Sequence, residues 1–326
     1  MDTGKTADLA ETVAVEASDT EPGPDKAYGL WVPALTPLDE ALVPDPKRFV
    51  AHAKALLEQG CHGIGIFGTT GEATSFSVDE RIALMEAALE AGLPAAQMMI
   101  GTGCCALSDT LTLTKRAVEL GCTRVLMLPP FYYKGPSDEG LAASYSEVIE
   151  RVGDADLQIY LYHFPRLSGV PITHGLIERL RAAYPRTIAG VKDSSGDADG
   201  TAAYLSAFPD LAIFPGTETL MLPMLEKGGA GSITASANVN ARAIRRVYDA
   251  WAAGDPEKTA LQARITEIRE VLQANPLIPA LKHVVAQETG DPGWRRIRPP
   301  LMPLSDAAAQ ELTKNLADHS FVFGGA

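Results

Sequence analysis

Lys192 occupies the position in this sequence that most directly suggests chemistry. It follows the apolar run Ile-Ala-Gly-Val at residues 188–191 and begins the polar stretch Lys-Asp-Ser-Ser-Gly-Asp. Because a lysine at the end of a buried strand points into a partly desolvated cavity, its neutral amine is favoured, and that amine attacks carbonyl carbons. The alternative is a lysine that extends its amine to the rim of the protein. Spacing alone leaves these two interpretations about even.

Tyr162 could transfer protons near such a lysine. Residues 160–163 read Tyr-Leu-Tyr-His and end another apolar run. Alternation along a strand puts Tyr160 and Tyr162 on one face, with Tyr162 at the strand end, where a phenol can act as a general acid or base. His163 could also be a general base. A single histidine at such a place is more often a hydrogen-bonded structural residue, which is the interpretation we favour.

Two further loops could contribute to the same cavity. Residues 68–72 read Gly-Thr-Thr-Gly-Glu, in which glycines permit a tight turn and the hydroxyl and N–H groups can hold a carboxylate. The alternative is an ordinary Gly/Thr turn. Residues 129–134 read Pro-Pro-Phe-Tyr-Tyr-Lys, and one of the adjacent tyrosines could project into the cavity, although aromatic packing against loops is commoner.

These side chains can meet only if several strands end at one place. Short apolar runs predict eight strands, at residues 30–35, 62–67, 96–101, 124–128, 158–162, 187–191, 211–214 and 229–234. Amphipathic runs between and after them predict helices, at residues 46–59, 78–91, 107–120, 138–151, 173–183, 197–207, 218–227 and 240–253. Eight alternating units predict a (β/α)8 (TIM) barrel, whose active site lies at the C-terminal strand ends. An open doubly wound sheet is the alternative, weakened by the absence of a GxGxxG turn after the first strand.

The chain divides into three predicted parts. Residues 1–27 hold seven acids and two lysines, which favours a disordered or loosely docked acidic tail. The barrel is predicted over residues 28–253. A helical C-terminal segment is predicted over residues 254–326, with helices at 257–273, 280–287 and 306–317.

Composition excludes several classes of protein. The 326 residues carry a net charge of −13, so binding to a nucleic-acid backbone is not expected. No signal peptide and no apolar run long enough to span a membrane is present, so we expect no membrane partner. The four cysteines lack the spacing of a metal or redox site. Reduced thiols in a cytoplasmic protein fit this pattern.

Taken in order, the motifs resemble those of the dihydrodipicolinate synthase and N-acetylneuraminate lyase family of Schiff-base aldolases. The similarity extends over nearly everything after residue 28. It rests on GTTGE at 68–72, GTG at 101–103, PPFYY at 129–133, YHFP at 162–165, GVKDSSGD at 190–197, GSI at 231–233, the Asn-Pro at 275–276 with Pro279 and Lys282, and RPPLMPL at 298–304.

The resemblance implies a role for each candidate residue. Lys192 would form the imine with a 2-oxo acid such as pyruvate, and Tyr162 would pass protons to and from it. Thr69 would join the proton relay, and Thr70 would hold the substrate carboxylate. Tyr132 would be shared across a dimer interface in a homodimer or a tetramer built from dimers. Further residues would line the pocket: Gly216, Gly231, Ser232 and Ile233. No metal or other cofactor is implied.

Two departures from the family pattern affect the expected substrate. In the synthase an arginine five residues after the tyrosine binds the second substrate's carboxylate, but here that position is Leu167 and Arg166 lies one place too early. Leu167-Ser168-Gly169 is more similar to the lyase and sugar-acid aldolase branch. His163 stands where the family usually has asparagine.

The sequence therefore leaves several functions open. The first is an aldolase that cleaves a 4-hydroxy-2-oxo acid to pyruvate and an aldehyde. The second is a dehydratase or deaminase that uses the same lysine imine on a sugar acid or cyclic imino acid. Dihydrodipicolinate synthase activity is a third possibility, and a non-catalytic 2-oxo acid sensor is a fourth. The presence of both Lys192 and Tyr162 argues against the sensor.

Overall fold

A computed structural model describes residues 26–324 of the chain. Eight parallel strands alternate with helices around a barrel, which confirms the predicted fold class. The strands are β1 Gly29–Pro33, β2 Gly63–Ile66, β3 Met98–Gly101, β4 Arg124–Met127, β5 Gln158–His163, β6 Ile188–Asp193, β7 Ala212–Pro215 and β8 Gly231–Ile233. Each is short and almost wholly buried because helices cover the outside of the barrel.

The strands pair in sequence order, with β8 returning to pair with β1. β7 and β8 are adjacent but, unlike the other neighbouring strands, they form no regular hydrogen-bonded ladder. They are bridged where the Ala230 N–H donates to the Ile213 carbonyl at 3.0 Å and where the Ser232 hydroxyl donates to the Pro215 carbonyl at 3.0 Å. The sheet is therefore closed into a barrel, and the open-sheet alternative is wrong.

Helices lie between the strands and continue after the last one. Within residues 26–324 they are α1 Pro46–Glu58, α2 Val78–Glu90, α3 Leu107–Glu119, α4 Asp138–Val152, α5 Pro165–Ser168, α6 His174–Ala183, α7 Ala198–Ala207, α8 Met221–Leu225, α9 Ala237–Ala252, α10 Lys258–Gln273, α11 Leu277–Thr289 and α12 Asp306–Asp318. Local sequence explains several starts. Ser77 and Glu80 form a capping box at α2, and Asp45 accepts a hydrogen bond from the Arg48 N–H at α1.

The structure differs from the sequence prediction in short elements. The single turn α5 was not predicted, because four residues cannot display a helical period; it begins at Pro165, ends at Ser168 and is capped by Gly169, whose φ is +65°. The helix predicted at 218–227 is instead a 3-10 turn, Glu218–Leu220, followed by α8. The last barrel helix starts earlier than predicted, with a break at Asn240, where φ is −134°.

The C-terminal helices α10, α11 and α12 form a layer with its own core. Leu272, Leu281 and Leu312 are fully buried there, together with Leu35 and Val239 of the barrel. The layer is thus continuous with the barrel near the start of the chain and the end of β8. None of the helices within residues 26–324 is both long and apolar enough to cross a membrane.

Candidate active site

Lys192 and Tyr162 are neighbours across adjacent strands. Tyr162 on β5 pairs with Lys192 on β6, so both side chains leave the sheet at the same height. Only 3% of each residue is exposed. The Lys192 amine lies 4.4 Å from the centre of the Tyr162 ring. The parallel register therefore brings the predicted nucleophile and the predicted proton carrier into contact.

Thr69 joins this pair from the loop after β2. Its hydroxyl lies 3.2 Å from the Tyr162 phenol oxygen, and either group can donate the hydrogen bond. The phenol and the hydroxyl thus form a hydrogen-bonded pair at the C-terminal end of the barrel, and the Lys192 amine lies against the ring of the same tyrosine. Such a pair can move a proton between a bound molecule and the protein.

Asp193, the neighbour of Lys192, is also buried, but its oxygens are engaged elsewhere. One oxygen accepts from the Ser195 N–H at 2.8 Å and the other from the Thr201 hydroxyl at 2.7 Å. Lys192 takes part in no ion pair found among residues 26–324. Its amine is therefore not neutralised by a protein carboxylate and faces the Tyr162 ring instead.

The loop after β2 is held in shape by a buried carboxylate. Glu72, at the end of the GTTGE motif, is 2% exposed and forms an ion pair with Lys282 of α11. Its second oxygen accepts from the Arg298 N–H at 3.2 Å. Phe67 and Glu72, which flank the turn, both have positive φ, 58° and 57°, a conformation that is uncommon for non-glycine residues. The C-terminal segment thus stabilises a strained loop that carries Thr69.

A second buried carboxylate connects the loops that follow β7 and β8. Glu218 follows β7 and is fully buried, where it accepts hydrogen bonds from the Thr234 and Ser236 hydroxyls. Arg269 of α10 forms an ion pair with it at 3.1 Å. Sequence reasoning did not single out Glu218 or Glu72 individually. Glu72 lay within a quoted motif, and that was the signal that could have found it.

A cavity of about 260 Å³ opens at Thr69 and Tyr162, and Lys192 lies behind the Tyr162 ring, outside the residues that line it. Its polar lining residues are Thr69, Tyr162, Thr74 and Ser168. The Ser168 hydroxyl is already bonded to its own loop, because it accepts from the Val170 N–H at 3.1 Å and lies 2.9 Å from the Val170 carbonyl. This volume lies just below the range of roughly 300–1,000 Å³ typical of pockets for drug-sized ligands, so the cavity suits a small molecule.

Four residues expected to line the pocket lie outside the lining of this cavity, as described for residues 26–324: Gly216, Gly231, Ser232 and Ile233. Their expected place at the pocket stays a prediction, and the contacts that the structure shows for them are with the barrel. A Cβ on Gly231, whose φ is +142°, would lie 2.0 Å from the Gly29 carbonyl oxygen of β1. The Gly216 N–H donates to the Asp193 carbonyl at 2.6 Å. Ile233 packs among the side chains inside the barrel.

The other residues that the sequence singled out differ in exposure and in whether they line the cavity. Thr70 is 8% exposed and lies next to Thr69, but it does not contribute to the cavity lining. Tyr132 and Tyr133 are 75% and 79% exposed and contact each other edge to face. Leu167, on α5, lines the cavity and is 63% exposed, whereas its neighbour Arg166 is exposed and does not.

His163 takes the structural role that the sequence favoured. Its Nδ1 accepts a hydrogen bond from the Ile172 N–H at 3.0 Å, which requires that nitrogen to be unprotonated. Burial lowers the pKa of His163, and the nearby Asp193 only partly opposes this effect. A neutral imidazole at the last residue of β5 thus holds the following loop at Ile172 without supplying charge.

Residues 26–324 contain no group of three or more histidine, cysteine or acidic side chains arranged to hold a metal ion. The expectation that catalysis needs no metal or other cofactor stays a prediction.

Comparison with known proteins agrees with this arrangement. The sequence model of the Dihydrodipicolinate synthetase family matches residues 26–319. An uncharacterized DapA-like lyase from Chloroflexus aurantiacus is 37% identical over 279 residues, which is 85% of this chain and 92% of that protein. A 4-hydroxy-tetrahydrodipicolinate synthase from Parasynechococcus marenigrum is 30% identical over 295 residues, 89% of this chain and 95% of that one.

Solved structures give the same answer. The crystal structure of dihydrodipicolinate synthase from Agrobacterium tumefaciens superposes with a TM-score of 0.82 at 31% identity, covering 89% of this chain and 99% of that chain. The family expected from the motifs is thereby confirmed, as is the expectation that the protein is an enzyme of the lyase class. The chain belongs to the dihydrodipicolinate synthetase family.

Proposed function

We propose that the protein reversibly cleaves a 4-hydroxy-2-oxo acid to pyruvate and an aldehyde through an imine on Lys192. The observation that carries this proposal is the buried Lys192 amine, 4.4 Å from the ring of Tyr162, whose phenol contacts Thr69 at 3.2 Å. A nucleophilic amine beside a proton relay is what imine chemistry requires. The family membership supports the same chemistry.

The reaction begins with covalent attachment of the substrate. The neutral Lys192 amine attacks C2 of the 2-oxo acid, and the resulting carbinolamine loses water to give a protonated imine. Tyr162 and Thr69 supply and remove the protons that these steps exchange. In this proposal Thr70 and its N–H hold the carboxylate, a role supported by its buried position directly after Thr69.

Carbon–carbon cleavage then uses the imine as an electron sink. Tyr162 removes the proton of the C4 hydroxyl, the C3–C4 bond breaks, and its electron pair moves through C3 and C2 to the iminium nitrogen. The aldehyde leaves and an enamine remains on Lys192. Tyr162 returns the proton to C3, and hydrolysis of the imine by one water releases pyruvate and restores the amine.

The other candidate activities differ in product. A dehydratase or deaminase would release water or ammonia and no aldehyde. Dihydrodipicolinate synthase activity would place a second carboxylate near the loop after β5, where Leu167 lines the cavity in this protein. Leu167 therefore favours the aldolase over the synthase.

Imine trapping tests the proposal. The protein is incubated with pyruvate and sodium borohydride, digested, and analysed by mass spectrometry. A reduced pyruvate adduct is expected on the peptide containing Lys192, and omission of borohydride serves as the control. An adduct on a different lysine, or none with pyruvate, would contradict the proposed mechanism.

We also propose that the protein assembles into at least a dimer, in which Tyr132 lies at the interface. Two adjacent tyrosines that are 75% and 79% exposed support this, because large exposed aromatic side chains are enriched in protein interfaces. Tyr132→Ala is expected to shift the mass measured by light scattering toward the monomer, whereas Tyr184→Ala, on α6's C-terminal side, should not. A wild-type monomer at micromolar concentration would contradict the proposal.

A further inference from the structure

The outer half of the active-site cavity differs chemically from its inner half. At the inner end, Thr69 and Tyr162 form the polar relay. Towards the rim, the lining is formed by Leu128, Phe131, Phe164 and Leu167. Leu128, Phe131 and Phe164 are half-buried and Leu167 is 63% exposed, so apolar surface remains available to a bound molecule.

Phe164 extends an aromatic surface outward from the reacting groups. Its ring stacks on that of Tyr162, with the centroids 5.8 Å apart and the planes 28° from parallel. A flat apolar substituent next to the reacting carbon would therefore meet the face or edge of an aromatic ring. Contacts of this kind add roughly 0.5–1.5 kcal/mol beyond the effect of burying the area.

Polar groups for the distal part of a substrate are scarce. The Ser168 hydroxyl is engaged with its own backbone, and Thr69 faces Tyr162. Of the polar side chains that line the cavity within residues 26–324, Thr74 remains for a polyhydroxylated tail. Burying hydroxyls without partners costs roughly 1–3 kcal/mol for each group, so a sugar-acid tail would be disfavoured.

No charged side chain of the described part of the chain lines the cavity. Lys134 lies nearby, but its amine donates to the Phe131 carbonyl and to the Ser168 carbonyl, the latter at 2.7 Å. Those bonds join the loops after β4 and β5 at their backbones. Arg166 is exposed on α5 and lies outside the lining. A distal carboxylate would therefore meet apolar side chains at the rim, with no cation among the lining residues.

We infer that the aldehyde half of the substrate is uncharged and apolar, carrying an aromatic or aliphatic group, and that Leu167 determines this preference. This inference rests on the proposed aldolase function. In the direction of synthesis, the enamine of pyruvate on Lys192 attacks the aldehyde carbon, Tyr162 protonates the new alkoxide, and hydrolysis releases a 4-hydroxy-2-oxo acid. The aldehyde substituent lies against Phe164 and Leu167.

A length-matched pair of aldehydes tests the preference. Pentanal and succinate semialdehyde have similar chains and end in a methyl group and a carboxylate, respectively; benzaldehyde and D-glyceraldehyde extend the comparison to a ring and a polyol. Each is supplied with saturating pyruvate, and kcat/KM for the aldehyde is measured by product formation. We expect pentanal to exceed succinate semialdehyde by about 10–200-fold, the range that hydrophobic pockets achieve.

Two variants separate the effect of the protein from the intrinsic reactivity of the aldehydes. The kcat/KM ratio of pentanal to succinate semialdehyde is compared between proteins, and intrinsic reactivity cancels in that comparison. Leu167→Arg should lower the pentanal-to-succinate-semialdehyde ratio at least about tenfold. Arg166→Leu, the adjacent exposed residue, is the matched control and should leave the ratio unchanged. Thermal unfolding of each variant verifies folding, and Leu167→Asn, which is smaller and uncharged, should lower the pentanal and benzaldehyde rates if Leu167→Arg does not fold.

Other results would overturn the inference. They are a wild-type preference for succinate semialdehyde or D-glyceraldehyde, or an unchanged ratio in a folded Leu167 variant. If Arg166→Leu removes activity on succinate semialdehyde, the substrate carries a carboxylate that Arg166 binds. Pyruvate trapping on Lys192 is measured in parallel: an adduct without the apolar preference rejects this inference alone, and the absence of an adduct rejects the proposed function as well.

Discussion

Two buried lysines in this protein have different surroundings. Lys282 on α11 is fully buried, and its amine contacts the Glu72 carboxylate and donates to the Arg296 carbonyl at 2.8 Å. Burial lowers the pKa of Lys282, and the charge of Glu72 partly offsets this. Lys192 on β6 is nearly as buried, yet its amine faces the Tyr162 ring beside the cavity and forms no ion pair within residues 26–324.

The comparison teaches that burial and a lowered pKa do not by themselves identify a nucleophile. The Lys282 amine is enclosed by groups that neutralise and hydrogen-bond it, so it joins the C-terminal segment to the loop that carries Thr69. The Lys192 amine lies beside a phenol that can exchange protons. We therefore expect substitution of Lys192 to affect chemistry and substitution of Lys282 to affect stability.

The largest expected effect is that of Lys192→Ala. Removing the amine eliminates the covalent route, so turnover should fall by about 10⁵-fold or more and the borohydride-trapped pyruvate adduct should disappear. The thermal unfolding midpoint should change little. Lys282→Met, measured on folded protein, should still give the adduct on Lys192. An adduct that persists in Lys192→Ala would remove the distinction between the two lysines.

Tyr162→Phe tests whether the phenol next to Lys192 carries protons in the reaction. The ring that packs against the amine remains, but the hydroxyl that contacts Thr69 is lost. Turnover should therefore fall by about 10²–10⁴-fold, while slow imine formation with pyruvate continues. Steady-state kinetics and timed borohydride quenching measure the two quantities separately. Wild-type turnover in this variant would exclude the phenol as the proton carrier.

Lys282→Met tests whether Lys282 contributes to the free energy of unfolding. It leaves the buried Glu72 carboxylate without its ion-pair partner and with only the hydrogen bond from the Arg298 N–H, which costs about 3–5 kcal/mol of unfolding free energy. Urea denaturation should show this loss, and Lys282→Met combined with Glu72→Gln should recover part of it. Lys314→Met is the matched control, because its ion pair with Asp318 is largely exposed and should contribute less than about 1 kcal/mol. An equally small effect at both lysines would contradict the expected role of Lys282.

The smallest expected effect concerns acid pH. The Arg298 guanidinium lowers the pKa of Glu80 from 4.5 to about 2. Because the folded pKa is the lower one, this pair stabilises the protein fully above about pH 4.5 and loses that contribution as the pH falls towards 2. Glu80→Gln should remove this part of the pH dependence, on the order of 1–2 kcal/mol after solvent screening. Urea midpoints at pH 7 and pH 3.5 measure this contribution in the wild type and in Glu80→Gln. If both proteins lose the same stability between these pH values, the Glu80–Arg298 pair is not its source.

Much of the barrel could be predicted from sequence because its signals are local. Apolar β-branched runs and helix caps such as Ser77 located most strands and helices to within a few residues. The same alternation placed Tyr162 and Lys192 at strand ends, and the register then brought them together. Short elements such as α5 left no period to detect.

Contacts between distant parts of the chain could not be predicted in this way. The pairing of Glu72 with Lys282 and of Glu218 with Arg269 depends on how the C-terminal layer docks, which no local pattern encodes. For the same reason the close approach of Gly216 and Gly231 to the barrel backbone could not be predicted, and their expected place at the pocket stays a prediction. Leu167 was noticed only as a departure from a motif, and the cavity gives it a chemical meaning.

Because β7 and β8 form no regular ladder, the hydrogen bonding between strands is uneven around the barrel. Thermal breathing would open first where the fewest cross-strand bonds must break. β7 is also the neighbour of β6, the strand that carries Lys192. Motion between β7 and β8 would therefore reach β6 from the β7 side, whereas the cavity lies at the ends of β2 to β5, on strands that remain paired.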